Sequence, residues 1–167
     1  MRDAESMKVL EKYRDVELRP WQKECLDAFR SQNDKEILLV VVEHEGGAGK
    51  GVLMKHMEVN GIAKAIPAIA ESMMGFCCVH PSEGYVIRLA RSTDRSSKSL
   101  WRAIEQIKTG ELRYRKEERR IKPPKIIVLS AIHPPEGMLS EDKWKTLDYG
   151  GWECKEYTLS DGTRHVV

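Results

Sequence analysis

The feature that most constrains this chain is a run of six aliphatic residues, Ile37–Val42, that leads into a glycine-rich turn. The run does not alternate with polar residues, which is the pattern of a central strand covered on both faces. Its length is about a third of what a membrane-spanning helix needs, so it does not predict such a helix. The turn occupies residues 45–51, and residues 52–58 have helical character. The sequence therefore predicts a buried strand, a glycine turn and a helix in succession.

The rest of the chain alternates between helical and extended segments. Apolar residues at helical spacing predict helices at residues 3–13, 21–30, 52–58 and 100–108. Apolar or β-branched runs predict strands at residues 36–42, 66–70, 76–79, 84–89 and 125–130, with two short strand-like pieces after residue 150. This alternation is typical of an α/β domain with a largely parallel sheet flanked by helices. Such sheets bind ligands beyond the carboxyl ends of their strands.

The charges are nearly balanced in number but unevenly distributed. The chain has 28 Lys and Arg residues against 26 Asp and Glu residues, a net charge of +2. Residues 88–125 hold 13 basic and 5 acidic residues, which leaves a net charge of −6 on the remainder. A basic segment on an otherwise acidic domain predicts a polyanionic partner. A solvated charged loop is the alternative interpretation.

The cysteines and histidines do not indicate a metal site. The four cysteines (Cys25, Cys77, Cys78 and Cys154) lack the spacing of metal-binding pairs, and the histidines form no His-x-His or His-x3-His pair. We therefore expect buried thiols and no catalytic metal cage. The N-terminal residues lack the apolar core of a secretory signal, so we expect an intracellular protein without a membrane partner.

The glycine-rich turn has the composition of a phosphate-binding loop. Small residues allow consecutive N–H groups to point into one concavity, and the helix that follows adds the positive end of its dipole. Lys50 would place its ammonium on the β and γ phosphates, which makes it the candidate catalytic residue and ATP the expected cofactor. The residues expected to bind this cofactor are Gly46, Gly47, Ala48, Gly49, Lys50 and Gly51.

The turn departs from the full phosphate-loop pattern at two positions. His44 occupies the position of the first glycine, and Gly51 replaces the hydroxyl residue that normally follows the lysine. The oxygen that usually contacts Mg²⁺ is therefore missing, and the sequence gives little reason to expect this metal. A glycine-rich turn without any ligand is the alternative interpretation.

The order of motifs along the chain resembles a known family, the superfamily 3 helicase domain of replication-initiator (Rep) proteins. These are proteins of small circular single-stranded DNA viruses, and the nanovirus and satellite type is the most similar. The resemblance covers roughly residues 18–149, between an N-terminal helical segment at residues 1–17 and a tail at residues 150–167. The motifs that carry it are Arg-Pro-Trp-Gln at 19–22, Gly-Gly-Ala-Gly-Lys at 46–50, Arg-Ser at 91–92, Ile-Glu-x-Ile-Lys-x-Gly at 104–110, Ile-Val-Leu-Ser at 127–130, Pro-Pro at 134–135 and Leu-Ser-Glu-Asp-Lys-Trp at 139–144.

The resemblance implies a P-loop NTPase of the AAA+ kind that assembles into a homo-oligomeric ring and moves single-stranded DNA during rolling-circle replication. A viral protein of this kind would act in the host nucleus. The family has a β-hairpin after the Ile-Glu-x-Ile-Lys-x-Gly helix, which would fall within residues 111–121. Its lysine would be Lys116, and single-stranded DNA or RNA would contact this residue together with Arg113, Arg115, Arg119 and Arg120.

Several family positions that hold metal or sense the γ-phosphate carry other residues. Arg88 stands where the resemblance implies an aspartate, Ala131 where it implies an asparagine, and Lys143 where it implies an arginine. Asp94 or Glu45 would have to supply the missing carboxylate. Because phosphoryl transfer depends on positioning and charge neutralisation, these changes predict a large loss of hydrolysis rate.

Three functions therefore remain open at this point. The first is a Rep-type helicase or ATPase with weakened hydrolysis, and the second is an inactive nucleic-acid-binding or assembly module derived from one. The third is an unrelated small P-loop kinase or NTPase. No nicking domain is expected within this chain, since only 17 residues precede the region of resemblance.

Overall fold

The computed structural model describes residues 4–42, 49–90, 92–150, 156–158 and 164–166. The helices are α1 (Ala4–Glu11), α2 (Pro20–Arg30), α3 (Lys50–Val59), α4 (Ala70–Val79) and α5 (Lys98–Thr109). The strands are β1 (Ile37–Val42), β2 (Lys64–Ala65), β3 (Gly84–Arg88), β4 (Glu111–Tyr114), β5 (Glu117–Arg120), β6 (Lys125–Ser130), β7 (Trp144–Gly150), β8 (Glu156–Thr158) and β9 (Arg164–Val166). Strands β8 and β9 pair with each other, as the two strand-like pieces of the tail predicted.

A five-stranded parallel sheet with the order β2-β3-β6-β1-β7 organises the described residues. Strand β1 lies between β6 and β7, and all of its residues are buried. The prediction of a mixed α/β domain with a mostly parallel sheet, and of residues 36–42 as its central strand, is confirmed. Because the strands are parallel, β1, β3, β6 and β7 all end at one edge of the sheet, the carboxyl edge.

The helices cover both faces of the sheet. Alternate residues of β1 face opposite sides, so one strand supplies both apolar layers. On one side Leu38, Val40 and Val42 pack in the cluster that contains α2 and α3 residues. On the other side Ile37, Leu39 and Val41 pack in the cluster that contains α4 and α5 residues. Helix α1 joins a small third cluster that includes Val52 and Val59 of α3.

The predicted strand at residues 76–79 is wrong, because residues 70–79 form helix α4. The strand predicted at residues 66–70 is also wrong, since the short strand before α4 is β2 at Lys64–Ala65. Met73 and Cys77 lie one helical turn apart and are both fully buried against the sheet. The apolar run at 76–79 has the composition of a strand, but burial at a spacing of four residues favours the helix in the folded chain. The sequence also failed to predict β7, whose residues are mostly exposed or half-buried.

The motifs at residues 104–110 and 139–144 form one hydrogen-bond network, which joins α5 to the start of β7. The carboxylate of Glu105, which is 5% exposed, accepts hydrogen bonds from Arg102 Nη1 at 2.8 Å and Trp144 Nε1 at 2.7 Å. It also accepts from the backbone N–H of Ser140 at 3.1 Å and from its hydroxyl at 2.8 Å. Burial raises the pKa of Glu105, but these hydrogen bonds outweigh burial and hold the pKa below its ordinary value. The motifs at 104–110 and 139–144 therefore hold the edge strand in place.

Replacing Glu105 with Ala should lower the free energy of unfolding by about 2 kcal/mol, because it leaves several partly buried donors without an acceptor. Urea unfolding at neutral pH measures this loss. The Glu111→Ala variant is the control, since Glu111 forms an exposed ion pair with Arg120 that should contribute little. The difference between wild type and Glu105→Ala should shrink in acid, because a carboxyl with a lowered pKa loses its contribution as the pH falls through that pKa. Equal losses in the two variants would contradict this role for Glu105.

Candidate nucleotide-binding site and nucleic-acid interface

The strand-turn-helix junction lies at the carboxyl edge of the sheet. Strand β1 ends at Val42, and α3 begins at Lys50 with Gly49 as its N-cap. Gly49 has φ +95°, a left-handed conformation that costs glycine little but strains other residues. Gly46, Gly47 and Ala48, three of the predicted loop residues, lie outside the described residues. The described residues therefore confirm the predicted order at this junction, a buried strand followed by a helix.

Lys50 is buried at this junction. Its side chain is 3% exposed, and Nζ donates a hydrogen bond to the carbonyl of Val42 at 3.3 Å. Burial, reinforced by the charges of Arg88 and Arg95, lowers the pKa of Lys50 to about 8. At neutral pH the amine is still mostly protonated, so a positive charge is held at the carboxyl end of the central strand.

A buried glutamine fastens α2 to the same junction. The side chain of Gln22 donates from Nε2 to the carbonyl of Gly49 at 2.9 Å and accepts from the backbone N–H of Arg19 at 2.8 Å. Gln22 is fully buried, so both ends of its amide are used within the protein. The sequence did not predict that Gln22 would hold the junction, although this residue belongs to the Arg-Pro-Trp-Gln motif at 19–22.

Arg88, the last residue of β3, reaches the first turn of α3. A Cβ atom added to Gly51 would lie 2.9 Å from Nη1 of Arg88, closer than real Cβ contacts allow. Helix α3 also packs against β3, which brings its first turn near the end of that strand. Gly51 and Arg88 were predicted as two separate departures from the family pattern, and the structure brings them into contact.

Arg95 is a third cation near this site, and the sequence analysis gave it no role. Its side chain is 8% exposed and donates to Ser130 Oγ at 3.1 Å, Thr93 O at 3.2 Å and Leu89 O at 3.3 Å. All three acceptors are neutral. The carbonyl of Arg95 in turn accepts from Trp101 Nε1 at 2.8 Å, which fixes the loop ahead of α5. The sequence placed Arg95 in the basic segment but did not indicate any of these hydrogen bonds.

The three cations make this part of the carboxyl edge suitable for an anion. Within the described ranges no carboxylate lies within ion-pair distance of Arg88 or Arg95. The charges of Arg88 and Arg95 disfavour the protonated form of Lys50, and this repulsion is a cost to the unliganded protein. A polyanionic ligand would relieve that cost because its negative charge would lie among the three cations.

An open groove of about 480 Å³ lies beside Arg88, between the first turns of α4 and α5. Asp94, one of the two residues proposed to replace the missing acidic ligand, lines this groove. Its carboxylate already accepts hydrogen bonds from the N–H of Ser96 at 2.9 Å and from its hydroxyl at 2.5 Å, which lower the pKa of Asp94. The other proposed residue, Glu45, lies outside the described residues.

The structure does not bring Lys143 to this site. The carbonyl of Lys143 accepts a hydrogen bond from the N–H of Ile37 at 2.8 Å, so Lys143 lies where β1 begins. The length of β1 then separates it from Val42 by roughly 17 Å. Ala131, in contrast, directly follows β6 at the carboxyl edge, next to the buried Ser130 that binds Arg95.

A basic hairpin lies in the region where the resemblance placed one. Strands β4 and β5 pair in antiparallel register, and the hairpin turns at Arg115 and Lys116, with Arg115 at φ +58°. Gly110, at φ +82°, ends α5 and starts the hairpin, and an added Cβ there would lie 2.2 Å from the carbonyl of Ile121. Helix α5 starts near the end of β3 and finishes near the start of β6. The base of the hairpin therefore lies at the amino edge, opposite Lys50.

The hairpin is attached to α4. The ring of Tyr114 lies on Gly75, where an added Cβ would come within 2.6 Å of Cε2, and Nη1 of Arg119 donates to the carbonyl of Cys78 at 2.8 Å. The guanidinium of Arg115 lies 5.1 Å from the centroid of the Tyr114 ring. These contacts fix the strands of the hairpin and leave its turn projecting.

All five predicted nucleic-acid-binding residues lie exposed on this hairpin. Two of them form exposed ion pairs, Arg113 with Glu118 at 3.5 Å and Arg120 with Glu111 at 3.0 Å. Such pairs are weak in water, so phosphate groups could compete for these arginines. Arg115 and Lys116 lie exposed at the turn, so both are candidates for a phosphate contact.

The described part of the chain offers neither a metal cluster nor a membrane span. No group of three or more His, Cys, Asp or Glu side chains there could hold a metal ion. None of the helices described is long and apolar enough to cross a membrane. Cys25 and Cys77 are fully buried thiols, as predicted, whereas Cys78 is half-buried.

Comparison with known proteins supports a relationship to Rep proteins. No protein-family model matches the chain. The chain is similar to Para-Rep C6 of Subterranean clover stunt C6 alphasatellite, with 26% identity over 139 residues. The match covers 80% of this chain and 48% of the relative, so the chain spans about half the length of the curated protein that it matches. This distant similarity supports the Rep-like relationship that the sequence predicted.

Removing the buried charge of Lys50 should stabilise the protein. We expect Lys50→Met to raise the free energy of unfolding by about 2 kcal/mol at pH 7, because the folded protein holds this amine at a lowered pKa. The gain should decrease as the pH rises from about 8 towards 10.5, since the wild-type amine then loses its charge in the folded state first. Urea unfolding at neutral and alkaline pH, with the exposed Lys23→Met as control, measures both effects. A loss of stability at pH 7 would contradict the placement of Lys50.

Proposed function

We propose that this chain is the nucleotide-binding, helicase-like part of a Rep-type replication protein, with a P-loop NTPase fold of the AAA+ kind. It binds ATP at the glycine-rich junction and single-stranded DNA or RNA on the basic hairpin, and its hydrolysis is weakened or lost. The observation that carries this proposal is the junction itself. A buried parallel strand leads to a left-handed Gly49 and a buried Lys50 that begins a helix.

The strand order supports a ligand site at this junction. From β1 the chain continues through α3 to β2 at one side of the sheet, whereas from β6 it continues to β7 on the opposite side of β1. In open parallel sheets, ligands bind beyond the carboxyl ends of the strands where the direction of connection reverses. Strand β1 ends at this reversal.

The residues at the junction have complementary roles in the proposed binding of ATP. Backbone N–H groups of residues 46–51 and the N-terminus of α3 would bind the phosphates, and the ammonium of Lys50 would lie on the β and γ phosphates. Gln22 positions the loop, because it holds the carbonyl of Gly49. Arg88 lies beside the same first turn of α3 and would add a second positive charge.

Weak hydrolysis follows from the side chains around the junction. Activating the attacking water needs a carboxylate or an equivalent polar group near the γ-phosphate. The atoms nearest to an added Cβ at Gly51 instead belong to the cation Arg88. Ser130, at the end of β6, is engaged by Arg95 and by the backbone of Ile132. This favours binding of ATP over rapid turnover.

An inactive binding or assembly module is the second candidate function, and the cation-rich carboxyl edge is the observation that favours it. The unrelated kinase is disfavoured by the distant similarity to a Rep protein. Assembly into a homo-oligomeric ring and action in a host nucleus belong to the same proposal through the Rep resemblance.

A turnover assay tests the proposed nucleotide site. We expect ATP to bind the wild-type protein, with turnover that stays slow both with and without single-stranded DNA. Lys50→Ala should weaken ATP binding at least tenfold, because it removes a charged contact to phosphate. Equilibrium binding of a fluorescent ATP analogue and release of phosphate are the two measurements. Brisk turnover that DNA stimulates and Lys50→Ala abolishes would instead identify an active helicase.

A salt titration tests the hairpin. Replacing Arg115 and Lys116 together with Ala should weaken binding of a single-stranded oligonucleotide and reduce the slope of log K against log salt by about 1.4, since two phosphate contacts are lost. Fluorescence anisotropy at several salt concentrations measures this. Lys23→Ala with Lys35→Ala removes the same charge from exposed positions elsewhere and should change neither value. Unchanged binding by the hairpin variant would reject the hairpin as the interface.

A further inference from the structure

The residues at the junction do not fit the Mg²⁺ ion that a P-loop nucleotide site of this family implies. That ion needs oxygen ligands in a near-octahedral arrangement, supplied by a hydroxyl after the lysine and by a carboxylate on a neighbouring strand. The corresponding residues here are Gly51, which has no side chain, and Arg88, which carries a positive charge. A cation cannot ligate a metal, and its charge repels one.

The two substituted positions lie in contact. Because a Cβ at position 51 would lie 2.9 Å from Nη1 of Arg88, a serine or threonine there would require the end of the arginine side chain to move. Conversely, the absence of a side chain at Gly51 leaves the space that the guanidinium occupies. Gly51 and Arg88 therefore form one arrangement in which an arginine group lies against the first turn of α3.

The guanidinium of Arg88 is suited to the role that the metal would otherwise have. An arginine keeps its charge at all physiological pH values, and its planar group binds phosphate oxygens through two parallel hydrogen bonds. Arg88 is exposed at its position on the sheet edge, so a ligand can reach it. It acts on the charge of the buried Lys50, which shows that the two groups share one electrostatic environment.

Arg95 reinforces the positive potential. Its hydrogen bonds go to a hydroxyl and to two backbone carbonyls, and these neutral groups orient the guanidinium without cancelling its charge. An Mg²⁺–ATP complex carries less negative charge than free ATP, so its attraction to these cations would be weaker. The free polyphosphate is therefore the better match in charge.

We propose that Arg88 replaces the metal ion, so that the site binds ATP as the metal-free polyphosphate and Mg²⁺ weakens binding by withdrawing the free ligand. This inference rests on the proposed nucleotide site and specifies the form of its ligand. It requires only binding, with no chemical step.

Isothermal titration calorimetry on the full chain tests this inference, with ATP and inorganic tripolyphosphate as probes. We expect both to bind about tenfold more tightly in EDTA than in excess Mg²⁺. Arg88→Ala should weaken binding in EDTA about tenfold, whereas Arg30→Ala, which removes an exposed arginine from α2, should leave it unchanged. The double variant Gly51→Ser with Arg88→Asp should reverse the preference and bind ATP more tightly with Mg²⁺.

The contrary results distinguish a failure of the role of Arg88 from a failure of the proposed nucleotide site. Wild-type binding that requires Mg²⁺ would overturn the role of Arg88 and leave the proposed nucleotide site intact. Binding in EDTA that Arg88→Ala does not weaken would also overturn that role. If neither probe binds with or without the metal, the proposed nucleotide site fails together with this inference. The comparison of EDTA with Mg²⁺ needs only the wild-type protein, so it does not depend on the folding of any variant.

Discussion

The buried charge of Lys50 at the end of the central strand is the interaction around which the carboxyl edge is arranged. Strand β1 is covered on both faces, so its end is the nearest place where the chain can present polar groups to a ligand. The amine donates to the carbonyl of Val42, while Gln22 holds the carbonyl of Gly49, the N-cap of α3. Burying this amine costs stability that an anion would return on binding. Anion binding as proposed would therefore exchange stability for affinity, which is common where function needs a strained arrangement.

The two proposed binding surfaces lie at opposite edges of one sheet, and α4 spans the distance between them. Its first turn lines the groove beside Arg88, and near its other end the carbonyl of Cys78 accepts a hydrogen bond from Arg119 of the hairpin. A helix of 10 residues is about 15 Å long, so it behaves as a short rigid element. The basic residues of the hairpin turn thus have a fixed position relative to the nucleotide site.

The sequence predicted the parts of the fold that depend on strong local patterns. The strand at 37–42 and the helix around 98–109 have consistent burial and spacing, and both were found. Helix α4 was predicted as strands because Phe76 and its apolar neighbours fit either structure, and only packing against the sheet decides between them. The contribution of Arg95 depends on distant partners such as Ser130, which no spacing reveals. Glu105 belonged to a motif that carried the family resemblance, yet its hydrogen bonds give it a structural role.

The contact between Gly51 and Arg88 bears on whether the unusual residues of this site reflect decay or adaptation. A site that no longer binds anything gains stability when a buried cation is replaced by an apolar side chain, because the desolvation penalty disappears. This chain instead retains Lys50 buried, adds Arg88 against the first turn of α3 and orients Arg95 with neutral acceptors. The charges of Arg88 and Arg95 disfavour the charged form of Lys50, and an anion would offset this repulsion. The joint presence of the three cations is what the proposed replacement of a metal ion by a guanidinium requires.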